Sequence, residues 1–195
     1  MRLVLASTSP QRRAILEQLR IPFDVVAPTY EEHDPPEADP VQLVRAYAEG
    51  KARSVHAEGA ITLGVDTTVH LDGRLYGKPA DESGARAMVG ELAGATHLVV
   101  SGLCLRGPGF AVVDHAITRV TFRALSALEI DEYLATGEWH GRAGGYAIQG
   151  VGGRLVAGID GDYLNVVGLP AALLVDVLTM RAPEVLQIRP DAVPG

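Results

Sequence analysis

Short apolar runs alternate along the chain with segments whose apolar residues recur every three or four positions. Runs rich in β-branched residues predict strands, and the longer spacing predicts amphipathic helices. Strands are predicted over residues 2–6, 23–27, 61–70, 96–105, 110–122 and 154–159, with a further turn and strand within 161–169. Helices are predicted from residue 10 and over 39–57, 81–92, 126–136 and 170–180. Strands and helices are therefore mixed along the whole chain.

The stretch 61–70, ITLGVDTTVH, is an apolar strand pattern that contains one carboxylate, Asp66. A charged side chain inside a strand is unfavourable unless it is paired, hydrogen-bonded or bound to a metal ion. Asp66 is therefore a candidate functional residue. The alternative is a carboxylate that faces solvent from an edge strand. The dipeptide Asp72-Gly73 that follows predicts a tight hairpin turn.

The segment after the first predicted strand has the features of a phosphate-binding loop. Ser7-Thr8-Ser9 leads into Pro10, so Ser9 is expected to cap a helix that begins at Pro10. Free N–H groups at a helix N-terminus, with nearby hydroxyls and the guanidinium groups of Arg12 and Arg13, suit a phosphate. The alternative is a capped surface helix with two solvated arginines.

Lysine is rare in this chain: of 17 basic residues only Lys51 and Lys78 are lysine. A compact ammonium suits positions that a larger, planar guanidinium does not fit. Lys51 falls four residues after Tyr47 on the apolar stripe of its predicted helix, so it is expected on the buried face. A lysine there either faces a phosphate or extends its ammonium to solvent. Chance retention of two lysines is the remaining alternative.

Two irregular segments add candidate ligands. The acidic, proline-rich loop 30–40 carries Glu31, Glu32, His33 and Asp34. Carboxylates in such a loop could ligate a divalent cation, although most such loops are simply solvated. The glycine-dense segment 139–153 permits close backbone approach to a ligand. It lacks the following helix of a dinucleotide-binding loop, and Gly77-Lys78-Pro79 lacks the spacing and the Ser or Thr of a P-loop.

The overall composition narrows the class of protein. A chain of 195 residues is most simply one domain, expected over 1–180, with a poorly ordered tail over 181–195. The formal charge of −7 argues against stable nucleic-acid binding, which needs a basic face. Cys104 is the only cysteine, which excludes a disulfide within the chain and indicates a reducing compartment. Since no signal peptide or membrane span is expected either, a cytoplasmic protein is indicated.

Seven stretches, taken in this order, resemble the Maf family of nucleoside triphosphate pyrophosphatases. They are LASTSPQRRAIL (5–16), the loop at Glu32, the helix of Lys51, GVDTTV (64–69), GKP (77–79), AGGYAIQG (143–150) and GDYLNVVGLP (161–170). The resemblance implies an α/β fold with a long, strongly twisted mixed β-sheet, helices packed around it, and two lobes flanking a central cleft. It also implies hydrolysis of a nucleoside triphosphate to monophosphate and pyrophosphate with a divalent cation, Mg²⁺ or Mn²⁺, usually in a homodimer.

The resemblance also implies a role for each matching residue. Asp66 would accept the proton of the attacking water, and Glu32 would join Asp66 around the metal. Lys51 and Lys78 would reach the triphosphate. The substrate-binding residues implied by the same motifs are Ser7, Ser9, Gln11, Arg12, Arg13, Thr67 and Gln149.

Thr67 and Gln149 resemble the branch of the family that acts on dTTP and UTP. The Gln149 amide offers donors and an acceptor that match N3–H and O4 of uracil or thymine. Two positions depart from the usual pattern: Gln11 replaces an arginine after the Ser-Pro, and Arg142 replaces a lysine before the AGxY motif. The alternative to an enzyme is a nucleotide-binding cell-division regulator with little turnover. The presence of both carboxylates and both lysines favours the enzyme.

Overall fold

A computed structural model of the chain describes residues 1–32 and 39–186. Within these residues the strands are β1 (Leu3–Ala6), β2 (Phe23–Val26), β3 (Ile61–Leu71), β4 (Arg74–Tyr76), β5 (Thr96–Gly107), β6 (Phe110–Phe122) and β7 (Val156–Asp160). The α-helices are α1 (Pro10–Gln18), α2 (Pro40–Ser54), α3 (Glu82–Leu92), α4 (Ala127–Leu134), α5 (Tyr163–Val167) and α6 (Ala171–Arg181). Short 3₁₀ turns cover Ala143–Gly145, Val151–Leu155 and Pro183–Leu186.

Capping residues determine where the helices begin. Ser9 caps α1 and Pro10 occupies its first position, as the sequence predicts. Asp39 caps α2 in the same way. Ser126 and Glu129 form a capping box at the start of α4, with each side chain bonded to the other residue's backbone N–H. These helix starts follow from local sequence alone.

The strands form one mixed sheet in the order β2-β1-β3-β5-β6-β7, with β4 paired to β3. Strand β1 is parallel to β2 and β3, whereas β5, β6 and β7 continue the sheet in antiparallel fashion. The turn between β3 and β4 places Asp72 and Gly73 at positive φ, 47° and 83°, as a tight hairpin turn requires. This arrangement confirms the predicted mixed α/β sheet.

One side of β3 is interrupted in the middle of the sheet. Strand β1 pairs with residues Ile61 to Gly64 of β3, and β4 pairs with Val69 to Leu71 on the same side. Strand β5 pairs with the other side along nearly the whole length of β3. In the part of the chain that the structure describes, residues 65–68 therefore have no strand partner on the side of β1. Asp66 and Thr67 lie in this interruption, on opposite faces of the sheet because side chains alternate along a strand.

Two hydrophobic clusters form separate lobes along the sheet. In the first, α1 and α6 pack on apolar residues of β1, β3 and β5. In the second, α3 and α4 pack on the other ends of β5 and β6. Helix α2 lies on the opposite face of the sheet, where Gly64 and Gly102 admit its backbone. A Cβ atom at either glycine would lie 2.1 Å from a carbonyl oxygen of α2.

The predicted strand within 161–169 is wrong, because residues Tyr163–Val167 form helix α5. Asp162 caps this helix, and Gly168 ends it at a φ of 129°. The side chain of Asn165 is buried and donates to the carbonyl of Val99 and to the hydroxyl of Thr118. The apolar residues of the segment resemble a strand locally, but these tertiary hydrogen bonds stabilise a helix.

The ordered chain continues past the predicted end of the domain at residue 180. Ala182 and Val185 are buried in the first cluster, so burial of apolar surface stabilises the segment up to Leu186. The rest of the predicted tail, 187–195, lies outside the described residues. No helix among the described residues has both the length and the apolar character needed to cross a membrane.

Candidate active site

A cavity of about 360 Å³ lies beside the interruption of β3. Its volume is in the range of small-molecule binding sites. The loop after β1, the middle of β3, the loop after β4 and the glycine-dense segment all contribute to its wall. The predicted site residues that line it are Ser7, Ser9, Gln11, Arg12, Glu32, Lys51, Thr67, Lys78 and Gln149. The fold thus brings together residues that are up to 142 positions apart in the sequence.

Arg12 is held in the cavity wall by three oxygen acceptors. It donates through Nε to the carbonyl of Gly168 at 2.9 Å, through Nη1 to Ser7 Oγ at 3.2 Å, and through Nη2 to Thr67 Oγ1 at 3.3 Å. All three acceptors are uncharged, so they orient the guanidinium without cancelling its charge. Desolvation lowers the pKa of Arg12, and the negative charges of Asp66 and Glu32 oppose that shift. The three hydrogen bonds therefore hold the Arg12 guanidinium in one orientation in the cavity wall.

Lys51 joins the two candidate acidic residues. It is 8 % exposed on the inner face of α2, as the apolar stripe predicts. Its Nζ lies 2.6 Å from Asp66 Oδ1 and 2.5 Å from Glu32 Oε1. Asp66 itself is not among the residues that line the cavity, but it contacts Lys51, which is one of them. Helix α2 approaches β3 closely at Gly64, which brings Lys51 within reach of Asp66.

The carboxylates of Glu32 and Asp66 suit a divalent cation because they converge on one point. Their nearest oxygens both lie within hydrogen-bond distance of a single nitrogen, the Nζ of Lys51. Mg²⁺ is commonly held by one or two carboxylates, with water and substrate phosphates completing its ligand shell. Among the residues that the structure describes, no third histidine, cysteine or acidic side chain joins this pair. Of the other candidates in the acidic loop, Glu31 is exposed, and His33 and Asp34 lie outside the described residues.

Lys78 and Arg142 both line the cavity. The backbone N–H of Gly144 donates to the carbonyl of Gly77 at 3.1 Å, which ties the glycine-dense segment to the loop of Lys78. Gly144 and Gly145 both have a positive φ, near 70°, and a Cβ at Gly144 would lie 3.0 Å from Val69. Glycine is therefore required for this close approach.

Gln11 and Gln149 mark a third part of the site. Both also line a smaller, mostly apolar hollow of about 290 Å³ between α1 and α5, which adjoins the main cavity. Gln11 Oε1 accepts a hydrogen bond from Ser9 Oγ at 3.1 Å. Thr67 Oγ1 lies 2.9 Å from the hydroxyl of Ser101, which is its direct neighbour on β5. The two amides and the Ser9 and Thr67 hydroxyls are thus uncharged polar groups of the cavity wall.

The structure does not bring Arg13 into the cavity, because its side chain is exposed on α1. It also adds residues that sequence reasoning missed, among them Tyr146 and the carbonyl of Gly168. Tyr146 lies within the AGGYAIQG motif, so the motif could have indicated it as a site residue. Its hydroxyl bonds to Nε2 of the fully buried His97 at 2.9 Å. Burial lowers the pKa of His97 to about 4, so at neutral pH His97 is uncharged.

Fixed cations beside a pair of convergent carboxylates define a site for a polyphosphate ligand. The model of the family described as Maf-like protein matches residues 2–181. The chain therefore belongs to the Maf family.

Several bacterial relatives carry the name dTTP/UTP pyrophosphatase. The protein of Symbiobacterium thermophilum is 46 % identical over 91 % of this chain and 92 % of its own length. That of Nitratidesulfovibrio vulgaris is 44 % identical over 97 % of this chain and 92 % of its own length. That of Deinococcus radiodurans is 42 % identical over 91 % of each chain.

Proposed function

We propose that this protein hydrolyses nucleoside triphosphates to the monophosphate and pyrophosphate, with a preference for dTTP and UTP. The observation that carries the proposal is the contact of Lys51 with Asp66 and Glu32 in the wall of a cavity that also presents Arg12. Cations offset the charge of a polyphosphate, and a nearby carboxylate orients and deprotonates water. Relatives at 42–46 % identity that are named for this activity support it.

In the proposed reaction, water attacks the triphosphate, the linkage between the α- and β-phosphoryl groups breaks, and pyrophosphate leaves. Asp66 accepts the proton of the attacking water. Arg12, oriented by Ser7, Thr67 and the carbonyl of Gly168, binds the phosphates. Lys51 positions the Asp66 carboxylate and contributes positive charge at the same point.

Glu32 and Asp66 are the residues that would hold a divalent cation, Mg²⁺ or Mn²⁺. The cation supplies charge neutralisation for the phosphates and makes bound water more acidic. The cation would share these two carboxylates with Lys51, whose Nζ contacts one oxygen of each. The further proposals drawn from the family resemblance are a homodimer and a cytoplasmic location.

The base preference rests on the end of the cavity that Gln11 and Gln149 share with the apolar hollow. The amide of Gln149 matches the N3–H donor and the O4 acceptor of uracil and thymine. The same amide in its flipped orientation would pair with cytosine. Discrimination against CTP therefore needs fixed backbone groups, which the glycine-dense segment can bring close to the base.

The test is pyrophosphate release from UTP, dTTP, CTP, GTP and 7-methyl-GTP with Mg²⁺ and with Mn²⁺. We expect the highest kcat/KM for UTP and dTTP. A preference for either guanine nucleotide would contradict the base assignment but not the reaction. Binding of nucleotide without pyrophosphate release would instead support the cell-division regulator.

A further inference from the structure

The side chain of Arg142 contributes a buried hydrogen-bond donor to the cavity wall. Its Nε is buried and has no hydrogen-bond partner among the residues that the structure describes. Buried polar groups nearly always have a partner, because an unpaired donor retains the full cost of leaving water. Arg142 also lines the cavity. A guanidinium placed in this way is suited to an anionic ligand.

Lys78 and Arg142 differ from Lys51 in the ion pairs that they form. Lys51 is balanced by two carboxylates. Over residues 1–32 and 39–186, no ion pair is formed by Lys78 or by Arg142. The bond from Gly144 to Gly77 holds their two segments against each other. Within the described residues, Lys78 and Arg142 therefore add positive charge to the cavity wall that no carboxylate offsets in an ion pair.

We propose that Arg142 binds the pyrophosphate portion of the substrate together with Lys78, and holds it as it leaves. This proposal rests on the proposed function. Pyrophosphate is the most highly charged part of the triphosphate, and its charge increases when the linkage to the α-phosphoryl group breaks. Two cations on the wall of one cavity match that charge, and the planar guanidinium can contact two phosphate oxygens at once.

The test compares product inhibition in Arg142→Gln, Arg142→Lys and the wild-type protein. We expect Arg142→Gln to raise the inhibition constant of pyrophosphate by roughly tenfold to a hundredfold, the effect of losing one charged hydrogen-bonding group. The inhibition constant of dTMP should not change. Arg142→Lys should retain most of the pyrophosphate affinity because a cation is kept. The matched control is Arg106→Gln, which removes an exposed arginine at the far end of β5.

Equal pyrophosphate inhibition in wild type and Arg142→Gln would overturn the proposal, as would a parallel loss of dTMP affinity. Arg142→Met, which keeps the apolar stem, replaces the glutamine variant if that variant does not fold. Calorimetric titration with pyrophosphate separates this inference from the proposed function, because it requires no turnover. If no nucleotide is hydrolysed, weaker pyrophosphate binding in the variant still supports the role of Arg142, and unchanged or absent binding overturns it.

Discussion

The contact between α2 and β3 at Gly64 predicts that a remote methyl group will impair the site. In Gly64→Ala the new Cβ would lie 2.1 Å from the carbonyl oxygen of Ala48, where ordinary contacts begin at 3.4 Å. Helix α2 must therefore move by about 1.3 Å. Because the obstacle is backbone and cannot rotate away, we expect a cost of about 3 kcal/mol, at the upper end for overpacking. For a chain of this length that lowers Tm by about 6–12 °C.

The same displacement moves Lys51, which α2 carries, away from Asp66. Misplacement of a site by about 1 Å can reduce the rate roughly 10²-fold. Thermal unfolding followed by circular dichroism and kcat for dTTP test both effects. The matched control is Gly90→Ala in α3, where a Cβ meets nothing within 4 Å and helix propensity improves. If Gly64→Ala shows the Tm and kcat of the wild type, the reasoning is refuted.

Three further predictions concern single side chains. Asp66→Asn should keep the fold and lower kcat by roughly 10²–10⁴-fold, because it removes the proton acceptor; a rate above about a tenth of wild type would rule out this role. Lys51→Arg should lower kcat by about tenfold or more despite the conserved charge, because a bulkier group must fit between Asp66 and Glu32; wild-type kinetics would contradict this. The pKa of His97 is about 4 in the folded protein against 6.5 ordinarily, so the unfolded chain binds the extra proton between these values. Stability should then fall as pH drops from 6.5 to 4, by about 1.4 kcal/mol per pH unit from this group, and His97→Gln should flatten that slope in urea denaturation.

Local signals predicted most of the elements, because the interactions that stabilise them lie within a few residues. The cap of Ser9 on α1, the capping box at Ser126 and the Asp72-Gly73 turn are of this kind. Helix α5 could not be predicted in this way. Its stabilising contacts are made by Asn165 with Val99 and Thr118, more than forty positions away.

In the candidate site too, local features could be predicted from the sequence, whereas contacts between distant segments could not. The apolar stripe of its helix predicted that Lys51 would be buried. The apolar strand pattern around Asp66 indicated that this carboxylate was a candidate functional residue. The link between Lys51 and Glu32 was not predictable from pattern, because Glu32 lies in an irregular loop. The orientation of Arg12 likewise depends on the carbonyl of Gly168, 156 positions away. Spacing within one helix could not distinguish it from the exposed Arg13.

The interruption of β3 also bears on aggregation. Unpaired strand edges are templates on which another chain can add a strand, and proteins usually shield them at the rim of a sheet. Here the stretch 65–68, which has no partner on the side of β1 among the described residues, lies inside the sheet and is flanked on that side by β1 and β4. The free edge is only four residues long and is closed at both ends by strands, which leaves too little room for an incoming strand to pair. A small ligand does not need a longer edge, so the protein can offer backbone groups to a ligand while denying them to a second polypeptide.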